Sequence, residues 1–392
     1  MSVISIPPEL IELRAAIRDF IEREIKPVEA KYAQEIQETG RIENADEERK
    51  KFRKRSAELG FYPLHMPEEL GGGGLSYLGQ VIVHEEVSRS GSLLARRGGV
   101  LPSVEGPSVI FADCTPDQKE RYLDPLMRAD KSVCFALTEP GAGSDATQIQ
   151  TKAEQKNGTW ILNGRKHFIT HGAEADFALV FAVTDAEKRA RGGITAFFVD
   201  KGTPGFEVTR LQRTASTTDL PAELLFDNVE VPSENILGEV GRGFYSAMRS
   251  INGERLHIAA HGLGIANYLF DKMEDYAKTR TAFGHAIGYY QYIQQYVVDS
   301  WCELEATRLF VYDQAARIDD GADGRREAAA SKLMAAEMVG RVADRAIQVY
   351  GGNGFMTEMG IESYWREVRA MRLYEGTSEI LRNNVAKTLG LS

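Results

Sequence analysis

The stretch whose residue types could carry chemistry lies near the end of the chain, at Arg372-Leu373-Tyr374-Glu375-Gly376-Thr377-Ser378-Glu379-Ile380. A helical pattern through Ile361, Trp365, Val368 and Met371 or Arg372 runs into Glu375. Gly376 can take positive φ and stop that helix, and Thr377 or Ser378 can cap the next one. The result is a carboxylate in a tight corner between two helices, beside Tyr374 and apolar neighbours. A carboxylate deprived of water has a raised pKa and is a better base near neutral pH. The same residues also fit a solvated loop Glu beside a helix cap.

Two other patterns invite a chemical reading. Pro140-Gly141-Ala142-Gly143-Ser144-Asp145-Ala146 follows a strand and fits G-x-G-x-x-A. A dinucleotide fold needs a helix straight after that motif. Here Ile149, Thr151 and Ala153 alternate instead, so the turn reads as one that offers backbone N–H groups and the Ser144 hydroxyl to a phosphate or flavin. His167 and His171, like His257 and His261, are four apart. The second pair would share a helix face, but neither has the third ligand or HExxH pattern of a metal site, so no metal is expected.

These residues need a scaffold. Pro8 to Pro63 reads as helical, with Leu10, Leu13, Ile17, Phe20 and Ile21 on one face and a weaker pattern over Asp46 to Leu59. Gly71 to Gly74 lacks the Lys-Ser/Thr ending of a phosphate loop and reads as a flexible connection. Helices are expected through Tyr77 to Ser88 and over Gln118 to Met127. From Ser132 the character becomes β, with segments at 133–137, 148–153, 160–162, 177–183, 195–199, 206–208 and 224–226 separated by turns such as Asn157-Gly158 and Asn163-Gly164. From Gly243 the helical period returns. Leu256, Ala260, Leu263, Ala266, Phe270, Met273 and Ala277 form one stripe, Ile293, Val297, Trp301, Leu304 and Val311 a second, and Leu333, Ala336, Val339, Ala346 and Val349 a third. The expected fold is α+β multidomain: an N-terminal α-helical domain over 1–131, a middle β-barrel or sandwich domain over 132–238, and a C-terminal four-helix-bundle domain over 239–392.

Composition narrows the partners. A net charge of −10 argues against nucleic acid or an anionic membrane, though not against a small anion held by a few arginines. Cys114, Cys134 and Cys302 are few, odd in number and far apart, as in a reduced cytoplasmic protein. No apolar run is long enough for a membrane span, and the N-terminus has neither a signal nor a transit pattern.

Five motifs, in order, make the chain resemble the acyl-CoA dehydrogenase family over essentially its full length. They are Leu137-Thr138-Glu139-Pro140-Gly141-Ala142-Gly143-Ser144-Asp145, Gly164-Arg165-Lys166-His167-Phe168-Ile169-Thr170, Arg280-Thr281-Ala282-Phe283-Gly284, Gln348-Val349-Tyr350-Gly351-Gly352-Asn353-Gly354-Phe355 and Tyr374-Glu375-Gly376-Thr377-Ser378. The resemblance implies an FAD-dependent enzyme that converts an acyl-CoA to a trans-2-enoyl-CoA, as in fatty acid or amino acid degradation, and passes electrons to an electron-transferring flavoprotein. It implies a homotetramer, a dimer of dimers. Alternatives within the fold are an oxidase or monooxygenase, or a member kept for binding or assembly.

For FAD, the resemblance implies Leu137, Thr138, Phe168, Ile169 and Thr170 along the flavin and Gly143 and Ser144 on the pyrophosphate, with Ser144 also bordering the CoA path. Arg280 would reach the FAD of a neighbouring subunit, with Phe283, Gln291, Gln348, Gly351 and Gly352 beside it, and Thr377 and Glu379 would lie on the adenosine half. Glu375 matches the base that takes the α-proton as hydride passes to flavin N5. Glu254, just before Arg255, occupies the place of the base in branched-chain members and is the rival. Its bland reading is an ion pair or CoA-side contact near Arg255 and Asn252. Asn252, Arg255, Tyr374 and Gly376 match substrate contacts. Arg96, in Arg96-Arg97, lies where glutaryl-type members bind a distal carboxylate, and its bland reading is a solvated loop pair. The chain departs from the family in having Phe168 for Trp, and Thr214-Ala215 and Asp219-Leu220-Pro221 in place of Met-Gly and Ser-Asp-Thr.

Overall fold

Residues 6–39, 46–215 and 220–391 are described by the structure, a computed structural model; Asp219, part of one departure noted above, lies outside them. The chain opens on α1 (Pro8–Phe20), which buries Leu10, Ile17 and Phe20 and continues through a wide turn at Ile21–Ile25 into further helix as far as Thr39. Next come α2 (Asp46–Glu58) and α3 (Tyr77–Arg89). Helix α3 is buried around most of its circumference, as an inner helix must be. Its free N-terminal N–H groups find acceptors: the Ser76 hydroxyl takes Gly79 N–H at 3.1 Å, and the Asp319 carboxylate takes those of Tyr77 (2.7 Å) and Leu78 (3.0 Å). Two expectations fail in this part. Gly71 to Gly74 is no flexible connection, because Gly73 and Gly74 donate to the Pro63 and Met66 carbonyls and a Cβ on Gly72 would come within 2.0 Å of Met66 O. Arg96 is not on a solvated loop but in a buried turn over Ala95–Gly99.

Eight strands follow: β1 (Val133–Ala136), β2 (Lys152–Lys156), β3 (Thr159–Ile169), β4 (Phe177–Val183), β5 (Ile194–Asp200), β6 (Phe206–Leu211), β7 (Ala222–Pro232) and β8 (Ile236–Leu237). They form one sheet in the order β6-β7-β3-β2-β4-β5-β8, with β1 parallel to β4. Alternation along β4 sorts the side chains. Ala178, Val180 and Ala182 join Leu162, Phe226 and Val229 of β3 and β7 inside the curl of the sheet, while Phe177, Leu179 and Phe181 pack with Ile110, Phe111, Tyr122 and Leu126 of the helical part. The expected strand over 148–153 starts later, because Asp145 accepts from Thr147 N–H and turns residues 146–148 before β2 begins at Lys152.

The long helices after the sheet are α4 (Gly243–Thr279), α5 (Gln291–Asp319), α6 (Arg325–Tyr350), α7 (Ile361–Ala370) and α8 (Ser378–Thr388). The stripe on α4 is buried except at Phe270, which is partly covered; Leu256 to Ala266 share one core with α3, α5, α6 and α7, and Met273 and Ala277 form a smaller one with Val349 of α6. The stripe expected on α5 holds at Leu304 and Val311 but not at Trp301, which is 53% exposed. Helix α7 stops at Ala370, five residues before Glu375, and the corner that follows is a run of turns.

Candidate active site

Three elements converge on Glu375. The turn after α7 presents it with φ +52°, followed by Gly376 at φ +95°. A left-handed Glu costs on the order of 1 kcal/mol, and neighbours hold the backbone there. Lys332 of α6 donates to the carbonyl oxygens of Tyr374 and, at 2.6 Å, Gly376. Arg255 of α4 donates from Nε to the Glu375 carbonyl at 3.2 Å and from Nη1 to Asn252 Oδ1 at 3.1 Å. Thr377 caps α8, its hydroxyl accepting from Ile380 N–H.

The Glu375 side chain opens into a pocket whose free space, counted to its mouth, is about 460 Å³. Phe135 and Leu179 of the sheet, Val104 and Phe111 of the helical part and Ile251 of α4 make its walls apolar. Burial pushes the Glu375 carboxyl up to about 7, and the negative charge of Glu254 adds to that; Lys332 and Arg255 pull the other way without cancelling it. Burial likewise brings the Lys332 ammonium down to about 8.

Glu254 lines the same pocket, so the structure brings both candidate carboxylates together. Their environments differ. Burial alone would raise Glu254, but His257 and, less strongly, His65 hold it below the usual carboxylate value. Its partner is His257, at 3.6 Å, and not Arg255, which serves the Glu375 corner. His257 and His261, four apart on α4, diverge: His261 Nδ1 meets the Ser88 hydroxyl at 2.7 Å, whereas His257 faces Glu254 and Gln80. Among the described residues no group of three or more His, Cys, Asp and Glu is arranged to hold a metal ion.

Arg96 is no part of a solvated pair. Its side chain is 1% exposed, ion-paired to Glu367 and stacked 4.7 Å from the Tyr364 ring centre. It is outside the lining of the pocket and committed to a buried carboxylate. Lys332, in contrast, has no signature in the sequence: a lysine two positions after a run of three alanines on a helix carries no signal of what it will clamp.

The residues assigned to FAD fall into two groups. At one face of the sheet, His167 N–H donates to Thr138 O at 2.8 Å, bringing Leu137 and Thr138 beside Phe168, Ile169 and Thr170. Phe168 is 60% exposed with φ +58°, an aromatic ring held in an unusual backbone state with its surface open. A Cβ built on Gly141 or Gly143 would meet nothing within 4 Å, and Ser144 is exposed. A bare aromatic next to an open glycine turn fits a flat ring joined to a diphosphate. Beneath this face Glu139 accepts from Gln150 N–H, Thr151 N–H and Lys166 Nζ, and Lys166 also donates to Leu137 O, so the turn hangs on a buried ion pair.

The second group lies at the far end of α4. Arg280 follows its last turn, Phe283 is 94% exposed, and Asn353 Nδ2 donates to Tyr276 Oη at 3.0 Å, which carries Gln348, Gly351 and Gly352 to the same end. Gln291 opens α5 nearby. At 1.5 Å per residue, Glu254 and Arg280 are ~39 Å apart along the helix axis.

With this geometry in view, comparison with known proteins decides the family. The acyl-CoA dehydrogenase N-terminal, middle and C-terminal domains match residues 7–130, 134–229 and 241–390. The chain belongs to the acyl-CoA dehydrogenase family. Among similar proteins, the mitochondrial short-chain specific acyl-CoA dehydrogenase of Mus musculus is 37% identical over 98% of this chain and 90% of its own length. The caffeyl-CoA reductase-Etf complex subunit CarC of Acetobacterium woodii is 34% identical over 94% of each chain. Among solved structures, butyryl-CoA dehydrogenase from Megasphaera elsdenii superposes with a TM-score of 0.85 at 31% identity, covering 98% of this chain and 99% of that one. The protein is therefore an acyl-CoA dehydrogenase, an oxidoreductase.

Proposed function

We propose that the protein dehydrogenates an acyl-CoA thioester between Cα and Cβ, giving the trans-2-enoyl-CoA, with Glu375 as the base. The observation that carries this reading is a carboxyl group held at positive φ on the wall of an apolar pocket, where burial pushes its pKa up. The α-proton of a thioester is weakly acidic, so its removal needs a base kept from water. Near neutral pH a raised carboxyl is ionised in part of the population, and the ionised form accepts that proton. Lys332 and Arg255 hold the backbone of the corner on both sides, so the carboxylate meets Cα without a reorganisation cost. Val104, Phe111, Phe135 and Leu179 exclude water around the acyl chain. Asn252, Arg255, Tyr374, Gly376 and Ser144 border the thioester and CoA. Leu137, Thr138, Gly143, Ser144, Phe168, Ile169 and Thr170 would hold FAD, which would supply the acceptor for the hydride leaving Cβ.

Arg280, Phe283, Gln291, Gln348, Gly351 and Gly352 serve the cofactor of a second copy, and Thr377 and Glu379 lie on the adenosine half of an FAD. Supporting this are the ~39 Å between Arg280 and the pocket and the exposed Tyr292, Val298, Trp301 and Leu309 of α5, an apolar surface that a partner would cover. A homotetramer is the assembly proposed. The electron acceptor proposed is an electron-transferring flavoprotein, in keeping with a relative named for its Etf complex. A cytoplasmic location is supported by three free cysteines, one of them exposed. No helix among the described residues is long and apolar enough to cross a membrane.

Anaerobic titration of the purified yellow protein with straight, branched and aromatic acyl-CoA thioesters tests the reaction. Bleaching of the flavin by at least one of them is expected, and no bleaching by any would overturn it. Reoxidation that is faster in air than with the carrier flavoprotein would make the enzyme an oxidase instead.

A further inference from the structure

Behind the pocket wall, three imidazole rings gather beside Glu254. His257, on the next turn of α4, lies face to face with His84 of α3 (ring centres 4.1 Å apart, planes 16° apart) and edge-on to His65 (5.9 Å, 89°). Gln80 of α3 sits at the outer edge of the His257 ring. Its Nε2 donates to the Leu75 carbonyl at 2.7 Å, which decides which end of the amide faces the ring, and its Oε1 lies 2.8 Å from His257 Nε2. An amide oxygen only accepts, so His257 Nε2 carries a proton whether the ring is neutral or charged. The nitrogen left to face Glu254 Oε2, 3.6 Å away, is Nδ1. In the neutral ring that atom is a lone pair; only the imidazolium presents an N–H to the carboxylate.

The surrounding groups leave His257 as the place for that charge. His65 sits against the Pro107 carbonyl, and burial followed by the His257 charge keeps it down at about 4. His84, against the His257 face, is held well below its ordinary value by desolvation and then by its histidine neighbours. His261, one turn further along α4, belongs to Ser88 and to Glu367, which Arg96 and Arg97 already balance. Of the three rings, His257 alone forms an ion pair with Glu254, and His65 feels that carboxylate more weakly. Around Glu375 the charged groups are Glu254 and Arg255 from α4 and Lys332 from α6.

We propose that His257, with its tautomer set by Gln80, is a positioning residue that controls the charge Glu254 presents to Glu375. With the imidazolium in place the Glu254–His257 pair is neutral overall, and Glu375 meets a dipole. Without it Glu254 is a bare anion in the same pocket, and two carboxylates that close cannot both ionise freely. The inference rests on the reading of Glu375 as the base. It gives the two carboxylates separate work: one takes the substrate proton, and the other, tied to a histidine, sets the pH at which the first can do so.

The test is the pH dependence of kcat/KM in the flavin-loaded holoenzyme, with butyryl-CoA or the faster thioester of the titration panel. In His257→Gln the acidic limb is expected to move up by ~0.5 pH unit or more, and in a Glu254→Gln background the same substitution should move it no further. A merely structural role would lower the rate at every pH and leave the limb in place. A limb unmoved in soluble, flavin-loaded His257→Gln overturns the proposal, as does an equal displacement with and without Glu254. Should His257→Gln fail to fold, Gln80→Leu provides the reading, because freeing Nε2 lets the neutral ring donate from Nδ1. The limb should then rise in the same direction, and an unmoved limb overturns the proposal. Activity remaining in Glu375→Gln would instead remove the underlying assignment of the base, which keeps the two failures apart.

Discussion

Lys332 Nζ reaches the carbonyl oxygen of Gly376 at 2.6 Å and also bonds that of Tyr374, so one ammonium on α6 grips the backbone on both sides of Glu375. The grip has two consequences. It holds a left-handed corner that would otherwise relax, and it sets a positive charge beside a carboxyl group that burial has raised. Lys332→Met is expected to lower kcat/KM at pH 7 by roughly 10-fold and to move its acidic limb upward, since the cation that favours ionised Glu375 is gone. Steady-state rates between pH 5.5 and 9 check this, and a limb that moves down would show that the ammonium acts otherwise.

Replacing Glu375 by Gln keeps the shape of the corner and removes the base. The variant should purify yellow, with FAD retained, and turn over at least ~100-fold more slowly, the low end of what a general base contributes. In the wild type, kcat/KM should fall tenfold per pH unit below about 7, where Glu375 is protonated, and level off above it. Comparing exchange of the substrate α-proton in Glu375→Gln and Glu254→Gln assigns the base: loss of exchange is expected in the first alone.

The same substitution should stabilise the protein at alkaline pH. The folded-state pKa of Glu375, about 7, exceeds the ordinary 4.5, so between these values the fold holds a proton that the unfolded chain does not. That contribution is fully present below about 4.5 and lost as pH rises through 7, where the wild type must carry a poorly solvated anion. A displacement of that size corresponds to about 3 kcal/mol. Glutamine has no such anion, so Tm of Glu375→Gln should exceed wild type at pH 8 and match it near pH 4.5. Thermal unfolding at the two pH values measures the difference.

Arg96 offers a prediction on stability rather than specificity. Arg96→Ala leaves buried Glu367 with Arg97 at 3.1 Å and His261 at 3.4 Å, and breaking a buried pair costs roughly 3 kcal/mol. A lower Tm is expected, with the ratio of kcat/KM for glutaryl-CoA to that for butyryl-CoA unchanged within about 2-fold. A selective loss on glutaryl-CoA would return Arg96 to the substrate site.

Much of this was legible in one dimension because it depends on neighbours along the chain. The long stripe through Leu256, Leu263 and Met273, the strand over Phe177 to Val183 and the Thr377 cap follow from local period and side-chain chemistry, and the five motifs, each a short run, carried the family. What the residues alone could not decide depended on meetings between distant segments. Glu375 and Glu254 are 121 positions apart, and only packing α4 against the turn after α7 puts both on one pocket. The clamp from Lys332, the pairing of Arg96 with Glu367 and the choice of His257 rather than Arg255 as the partner of Glu254 have the same cause. Charge pairing and desolvation are set by distances in space, and spacing along the chain constrains those only within a helix turn or a strand pair.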